Sequence, residues 1–301
     1  MKRLYVLGML IAIGAASIGV RAYQQPAQNA PKVIDVDKVK DNLFVLKGGG
    51  GNTAVFVTAT GVVVVDAKNP GWGQPILDKI KTLTNKPVTM LINTHTHGDH
   101  VSGNVEFPAT IDVVTQVNTK ANMEKMDIFK QNNNRGMAKR TFKDKMIIGK
   151  GADQIDLYYF GPGHTNGDAI AVFPALRTAH IGDLFAGKNL PLVDADNGGS
   201  VLHYHETLNK VHAGIKNVDT LINGHSNTTT TWADLQTFAD FNKDFLTWAQ
   251  GALKSGKSAK DAAGDWKLPA KYEALGYSGT VAPLFGGVEG RLNRLAAEMK
   301  K

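Results

Sequence analysis

The chain of 301 residues contains no cysteine. Disulfide bonds therefore cannot stabilise the protein, and a lipidated cysteine and any metal site built on thiolate ligands are excluded. A protein without thiols also cannot be misoxidised in an oxidising compartment. A metal bound by this chain must be held by histidine and carboxylate side chains.

Long blocks of like charge are also missing. The chain has 34 Lys and Arg residues and 27 Asp and Glu residues, a formal net charge of +7, but the positive charges form no run of five or six. This distribution argues against nucleic acid as a partner. Hydrophobic residues make up 43% and charged residues 20% of the chain, as is typical of a soluble globular protein.

One long apolar run occurs, at the N-terminus. Two basic residues precede the apolar residues 4–20, and the sequence that ends at Ala22 has small residues at the usual cleavage positions. This pattern predicts a signal peptide over residues 1–22 and a tether over residues 23–31. The alternative is a retained anchor helix, because the run approaches the length of a membrane span. With cleavage we expect a periplasmic or secreted protein without stable membrane insertion.

Short apolar runs separated by turn residues predict the secondary structure of the rest. Alternating or β-branched runs predict a β-meander over residues 33–36, 43–47, 53–58 and 62–66. Helices and strands follow over residues 75–84, 88–92, 112–116 and 119–131. Similar patterns recur over residues 145–148, 155–160, 169–173, 178–181, 200–211 and 220–222. Two such rounds indicate two sheets packed face to face with helices outside.

Two amphipathic helices are predicted near the C-terminus, over residues 232–253 and 288–299. The segment between them, residues 256–287, has no assignment. Because no linker is visible, we expect residues 32–301 to form one domain. The glycine run of residues 48–51 is a hairpin turn by default, and its alternative is a mobile flap over a cleft.

The densest group of polar residues follows the predicted strand of residues 88–92. It is the segment Thr94-His95-Thr96-His97-Gly98-Asp99-His100. Residues two apart in an extended segment point the same way, so His95 and His97 can bind one ion together. The turn at Gly98 then lets Asp99 and His100 face a second ion. A solvated loop, or histidines satisfied within a core, is the alternative, but it does not explain this clustering.

Three more ligand-type residues occur elsewhere in the chain. His164, Asp183 and His225 each follow a predicted strand and lie beside a glycine, which permits tight turns and close approach of the backbone to a metal. The loop of residues 188–200 leaves the strand that ends at Asp183. We expect this loop to pass near the metals and to shape substrate choice.

The order and intervals of these residues resemble the metallo-β-lactamase superfamily across the whole domain. The matching residues are Asp66, His95, His97, Asp99, His100, His164, Asp183 and His225. The resemblance implies a mixed α/β (α+β) fold, a four-layer αββα sandwich with the site at one edge between the sheets. It further implies that Asp66 orients the histidine loop as an acceptor outside the metal ligands. The alternative for Asp66 is a turn residue at a strand end.

The resemblance also implies two metal ions per chain, zinc in the first instance, with iron or manganese as alternatives. The first ion would be held by His95, His97 and His164, the second by Asp99, His100 and His225, and both by Asp183. A metal-bridging hydroxide would attack the substrate, and Asp99 is the candidate to handle the proton.

The bridging Asp183 resembles the glyoxalase II and lactonase branches and not the β-lactamases with a cysteine ligand. The sequence therefore predicts an exported dinuclear zinc hydrolase of a small ester, lactone, thioester or lactam. A metallo-β-lactamase that acts on β-lactam antibiotics is the first alternative. A di-iron oxidoreductase and a non-catalytic metal-binding module are further alternatives, and the oligomeric state is left open.

Overall fold

The computed structural model describes residues 32–227, 229–281 and 286–300. One compact unit spans Ile34–Lys301. The predicted signal peptide and tether lie outside the described residues. Within the described part of the chain, no helix has both the length and the apolar character needed to cross a membrane.

The first sheet has seven strands in chain order. They are β1 (Asp35–Lys40), β2 (Leu43–Lys47), β3 (Thr53–Val57), β4 (Val62–Val65), β5 (Val88–Ile92), β6 (Asp112–Gln116) and β7 (Arg140–Phe142). The first four form the predicted antiparallel meander, and β4 to β7 pair in parallel. The prediction of the first strand at residues 33–36 was wrong in its bounds, because the pairing with β2 begins at Asp35 and continues to Lys40.

The second sheet has six strands in the order β13-β12-β11-β10-β9-β8. They are β8 (Lys145–Ile148), β9 (Ile155–Tyr158), β10 (Ile170–Phe173), β11 (Thr178–Gly182), β12 (Thr220–Asn223) and β13 (Thr230–Thr231). Strand β10 is antiparallel to both β9 and β11, and β11 is parallel to β12. Strands β9, β11 and β12 therefore end at the same edge of the sheet.

Nine α-helices occur among the described residues. They are α1 (Gly73–Leu83), α2 (Gly98–Val101), α3 (Val117–Met123), α4 (Asp127–Gln131), α5 (Tyr204–Gly214), α6 (Trp232–Lys254), α7 (Ala259–Asp265), α8 (Ala270–Glu273) and α9 (Gly287–Glu298). The described part of the unassigned segment, residues 256–281, thus contains two short helices.

Two predicted helices differ in their bounds. The helix expected over residues 119–131 is interrupted, because Met126 has extended backbone angles and caps the second piece. The helix expected from residue 200 begins at Tyr204. The preceding turn is held instead by the Glu298 carboxylate, which accepts hydrogen bonds from the backbone N–H groups of Val201 and Leu202.

Alternating side chains on the strands divide the core into layers. Val63 and Val65 of β4 pack between the two sheets, while Val62 and Val64 pack with α1 on the outer face of the first sheet. The outer face of the second sheet packs against α5, α6 and α9. A period of two along each strand therefore produces the predicted order of helix, sheet, sheet and helix.

Candidate metal centre

The seven predicted metal ligands meet at one edge of the sandwich. The loop after β5 carries four of them, and the segments after β9, β11 and β12 each carry one. Because these strands end at the same edge, residues far apart in the chain come together there. The possible ligand atoms form two groups, and within each group all of them lie within 4.8 Å of one another. The first group is His95, His97, His164 and Asp183, and the second is Asp99, His100 and His225.

Asp183 lies between the two groups. Its Oδ1 is 3.3 Å from Nε2 of His100, and its Oδ2 is 3.2 Å from Nε2 of His225. The same Oδ2 lies 3.7 Å from Nε2 of His164 and 4.0 Å from Nε2 of His95. One buried carboxylate thus faces ligands of both groups, as a bridging position requires.

A carboxylate outside the two groups fixes the His100 ring. Asp66 Oδ2 lies 2.7 Å from Nδ1 of His100, and because a carboxylate only accepts, this nitrogen carries the proton. Asp66 also accepts from the N–H and the hydroxyl of Thr94, at 2.8 and 2.7 Å. Nε2 of His100 is therefore the nitrogen that faces the centre. Asp66 has a left-handed backbone (φ 66°), which is uncommon for a residue with a side chain and marks a constrained site.

The rings of the three histidines in the first group are also held by hydrogen-bond acceptors. Nδ1 of His164 donates to the carbonyl of Leu192 at 3.0 Å, and Nε2 of His97 donates to Asp194 at 2.7 Å. Nδ1 of His95 lies 3.0 Å from the Thr94 hydroxyl, whose own proton goes to Asp66. Each ring thus keeps one nitrogen lone pair for the centre.

Two atoms of the candidate ligands are buried without a hydrogen-bond partner, as expected of a metal site. Nε2 of His95 and Oδ1 of Asp183 are buried without a hydrogen bond, although an unsatisfied buried polar group is costly. Burial and the charge of neighbouring histidines hold the pKa of His95 well below its usual value and lower that of His164 to about 4. Both imidazole rings are therefore neutral near pH 7 and can bind a metal through a nitrogen lone pair. The donor set fits a divalent cation such as zinc.

The second group is more open to solvent. Burial alone would lower the pKa of His225, but hydrogen bonds to Asp183 and Asp99 raise it to about 9. Burial would raise the pKa of Asp99, but the His225 hydrogen bond and the charge of His100 lower it to about 2. Without a metal, an ion pair between His225 and Asp99, 3.2 Å apart, stabilises this group.

Two glycines allow close packing around the ligands. A side chain at Gly51 would overlap the ring of His100, and one at Gly224 would overlap the carboxylate of Asp183. Gly51 also donates its N–H to the carbonyl of Asp99 at 3.0 Å. The glycine turn of residues 48–51 is therefore docked against the ligand loop, which supports the turn interpretation and not the flap.

A buried lysine anchors this turn. Lys68 is fully buried, and its ammonium donates to the carbonyls of Leu46 at 2.9 Å and Gly51 at 2.7 Å. Burial lowers its pKa to about 7, against the opposing charges of Asp66 and Asp99. No periodic signal in the sequence predicts this role, because Lys68 follows the strand as a single charged residue.

The loop of residues 188–200 lies next to the site, as predicted. It also supplies the acceptors for two rings of the first group, the Leu192 carbonyl for His164 and the Asp194 carboxylate for His97. Asp194 has no sequence signal for this role beyond its place in the loop. A backbone carbonyl leaves no signature in sequence, so the role of Leu192 could not be found from it.

A cavity of about 650 Å³ opens onto the ligands. Its lining includes the candidate ligands His97, Asp99, Asp183 and His225 together with residues 186–189. The cavity therefore places a small molecule in contact with both ligand groups.

Comparisons with known proteins point to one family. The model of the Metallo-beta-lactamase superfamily matches residues 46–228. The chain is 25% identical over 260 residues to the Metallo-beta-lactamase type 2 of Elizabethkingia meningoseptica, a match that covers 82% of this chain and 96% of that protein. It is 32% identical over 125 residues to a hydroxyacylglutathione hydrolase of Synechocystis sp., which covers 40% of this chain and 43% of that one.

Solved structures share the fold. A metallo-beta-lactamase from Pontibacter korlensis superposes with a TM-score of 0.59 at 19% identity, over 70% of this chain and 99% of that one. The mixed α/β architecture with two sheets is therefore that of the metallo-beta-lactamase structures. Given the family match and the clustered histidines and aspartates, the chain belongs to the metallo-beta-lactamase superfamily and is a metal-dependent hydrolase.

Proposed function

We propose that the protein is an exported dinuclear zinc hydrolase that cleaves a small ester, lactone, thioester or lactam. The observation that carries this proposal is the position of Asp183 between two separate ligand groups. A mononuclear site would not need the second group, whose three residues converge without a structural role that is evident from the fold.

In this proposal His95, His97 and His164 hold one ion, Asp99, His100 and His225 hold the other, and Asp183 contacts both. When bound, the ions supply Lewis acidity toward a substrate carbonyl or phosphoryl oxygen and hydroxide near neutral pH. Asp99, a cavity-lining carboxylate, accepts and returns the proton during the reaction. Asp66 keeps the His100 ring in its binding tautomer throughout.

The part of the cavity wall that is formed by the other residues supports a compact substrate. Ala186 and Gly187 have little or no side chain, and Leu192 adds an apolar contact. The ammonium of Lys188 lies 3.1 Å from Asp234, so its charge is largely compensated. The wall therefore favours binding by shape and by the metals over recognition of a large anion.

Metal analysis tests the dinuclear centre. We expect about two zinc ions per chain in the purified protein. Replacing the bridging carboxylate by Asp183→Ala should lower the content to one ion and remove most turnover. Asp41→Ala, at an exposed surface position, is the matched control and should keep both ions. One ion per wild-type chain with full activity would contradict the proposal.

A substrate screen distinguishes the branches of the family. The zinc-loaded protein would be assayed with nitrocefin, acyl-homoserine lactones, thioesters and aryl phosphodiesters. A β-lactamase is the second candidate, because the similarity to Metallo-beta-lactamase type 2 covers 96% of that protein. Preference for nitrocefin would select this candidate, and preference for a lactone or thioester would select the first.

Export is supported by the N-terminal sequence, in which a basic start, an apolar run and small residues before position 23 follow one another. Expression in a Gram-negative bacterium followed by fractionation tests it. We expect periplasmic protein whose mass corresponds to a chain that starts at Tyr23. Full-length protein in the membrane fraction would favour the anchor helix.

A further inference from the structure

A buried arginine from the C-terminal helix lies behind the metal centre. Arg291 of α9 is 4% exposed, and no carboxylate of the described residues forms an ion pair with it. Its guanidinium donates instead to the carbonyl of Pro191 and to Oδ1 of Asn242, the latter at 2.9 Å. A buried charge without an anionic partner is costly, so a specific role must offset this cost.

The guanidinium also lies over the ring of Tyr204, whose hydroxyl binds the backbone at Asp183. It is 5.6 Å from the ring centre of Tyr204, a distance typical of a cation–π contact. The fully buried Tyr204 donates its hydroxyl to the carbonyls of Asp183 and Leu184, at 3.1 and 3.2 Å. Arg291 therefore contacts the side chain that fixes the backbone of Asp183.

The second contact of Arg291 leads to the first ligand group. Pro191, whose carbonyl accepts from the guanidinium, directly precedes Leu192, and the Leu192 carbonyl orients His164. The same helix holds the far end of the loop, because Arg294 donates to the carbonyl of Gly199 at 2.8 Å. Helix α9 thus restrains the loop of residues 188–200 at both ends.

We propose that Arg291 is a positioning residue for the metal centre, which sets the His164 ring through Pro191 and Leu192 and the Asp183 backbone through Tyr204. The role requires the planar guanidinium, since it donates in two directions and lies over an aromatic ring at once. A Lys ammonium is a compact charge that does not reproduce this planar arrangement of donors. The inference rests on the metal centre of the proposed function and not on its substrate.

Cobalt binding to the full-length protein tests this inference. Co²⁺ reports its ligand geometry through its visible d–d absorption, and competition with a chelator gives its affinity. For Arg291→Met we expect a loss of about 10-fold or more in Co²⁺ affinity, as for other residues that orient metal ligands, together with an altered d–d spectrum. Arg291→Lys should recover part of the affinity, and Tyr204→Phe, which removes only the hydroxyl, should lower it without removing the ring.

A control variant separates positioning from general destabilisation. Leu292→Ala removes a fully buried side chain of the same helix and core but no hydrogen bond to the loop. It should lower the unfolding temperature while leaving the Co²⁺ affinity and spectrum of the folded protein unchanged.

Two outcomes would overturn the inference in distinguishable ways. Arg291→Met and Tyr204→Phe with the wild-type affinity and spectrum would show that the cluster does not position the ligands, while the metal centre stands. A wild-type protein that binds no Co²⁺ would overturn the metal centre of the proposed function and the inference with it.

Discussion

Asp66 accepts hydrogen bonds from the ring of His100 and from two donors of Thr94, and it is fully buried. Three buried donors therefore depend on one carboxylate that binds no metal in the proposed centre. Its left-handed backbone means that Asn, which tolerates this conformation, is the least disruptive replacement. The effect of such a replacement then reports on the carboxylate and not on the backbone.

For Asp66→Asn we expect metal affinity to fall about 10- to 100-fold, because the amide cannot accept from both His100 and Thr94 as the carboxylate does. His97→Ala removes a ligand atom itself and should cause a larger loss. Chelator competition on both variants measures the difference. An Asp66→Asn protein that loses metal as completely as His97→Ala would make Asp66 a ligand and not an orienting residue.

The shifted pKa of Lys68 makes the free energy of unfolding depend on pH. Its pKa is about 7 in the folded protein against 10.5 for an ordinary lysine, so between these values the unfolded chain holds a proton that the folded protein has released. Stability due to this group is therefore lowest below pH 7 and rises as the pH increases toward 10.5. Lys68→Met removes the titrating group and with it this rise.

Urea unfolding of wild type and Lys68→Met across pH 6–10 measures this contribution. The stability difference between the two proteins should shift in favour of wild type as the pH rises. Lys86→Met is the control, because this exposed lysine also donates to a carbonyl, that of Thr58. Parallel profiles for wild type and Lys68→Met would contradict the assigned shift.

At the scale of elements, the β2–β3 turn and the ligand loop form one packed unit. Gly51 packs so closely against the His100 ring that a Cβ would overlap it, and its N–H donates to the carbonyl of Asp99. The Lys68 ammonium donates to the carbonyl of Gly51 and so holds the turn in place. A turn that looks mobile in sequence, because it is four consecutive glycines, is thus fixed by tertiary contacts. The glycines are needed for close approach and not for motion.

Gly51→Ala tests this packing. The added methyl group would overlap His100, so we expect a destabilisation of about 1–3 kcal/mol and weaker metal binding. Gly251→Ala in α6 is the matched control, because a Cβ added there would have no atom within 4 Å apart from its chain neighbours and the backbone of its own helix. Alanine in place of glycine stabilises a helix interior by about 0.5–1 kcal/mol. Chemical unfolding and metal titration of both variants give the comparison, and an unaffected Gly51→Ala would restore the flap interpretation.

The clustering of the candidate ligands was predictable from sequence because its signals are local. The spacing of His95, His97, Asp99 and His100 directly after an apolar strand indicates a metal loop without knowledge of the fold, and the site geometry brings these residues together as expected. The break at Met126 and the start of α5 at Tyr204 were not predictable, since contacts with distant residues such as Glu298 decide them. The supporting roles of Lys68 and Asp194 depend in the same way on long-range neighbours.

At the scale of the whole molecule, the metal centre joins the two sheets. The loop that carries His95 to His100 follows β5 of the first sheet, whereas Asp183 and His225 follow β11 and β12 of the second. An unfolded chain does not present these ligands together, so metal binding favours the folded state. In the proposed centre, bound ions would therefore link the two halves of the sandwich.

Metal removal should accordingly destabilise the entire domain. Free metal at 1,000 times its dissociation constant contributes about 4 kcal/mol, which corresponds to a fall in the unfolding temperature of roughly 10 °C on chelation. Calorimetry of the zinc-loaded and chelator-treated protein measures the shift, and readdition of zinc should reverse it. An unchanged unfolding temperature would mean that the ligands contribute nothing to cohesion between the sheets.

The acceptor for His164 is the backbone carbonyl of Leu192 and not a side chain. No point substitution at position 192 deletes that oxygen, whereas inserting or removing one residue between 188 and 192 would move it away from the ring. In a mutational library the partly exposed positions 188, 189 and 192 should therefore accept many amino acids, whereas the stretch should accept few changes in length. Laboratory evolution of the cavity wall would then advance by exchanging side chains on a backbone of constant length.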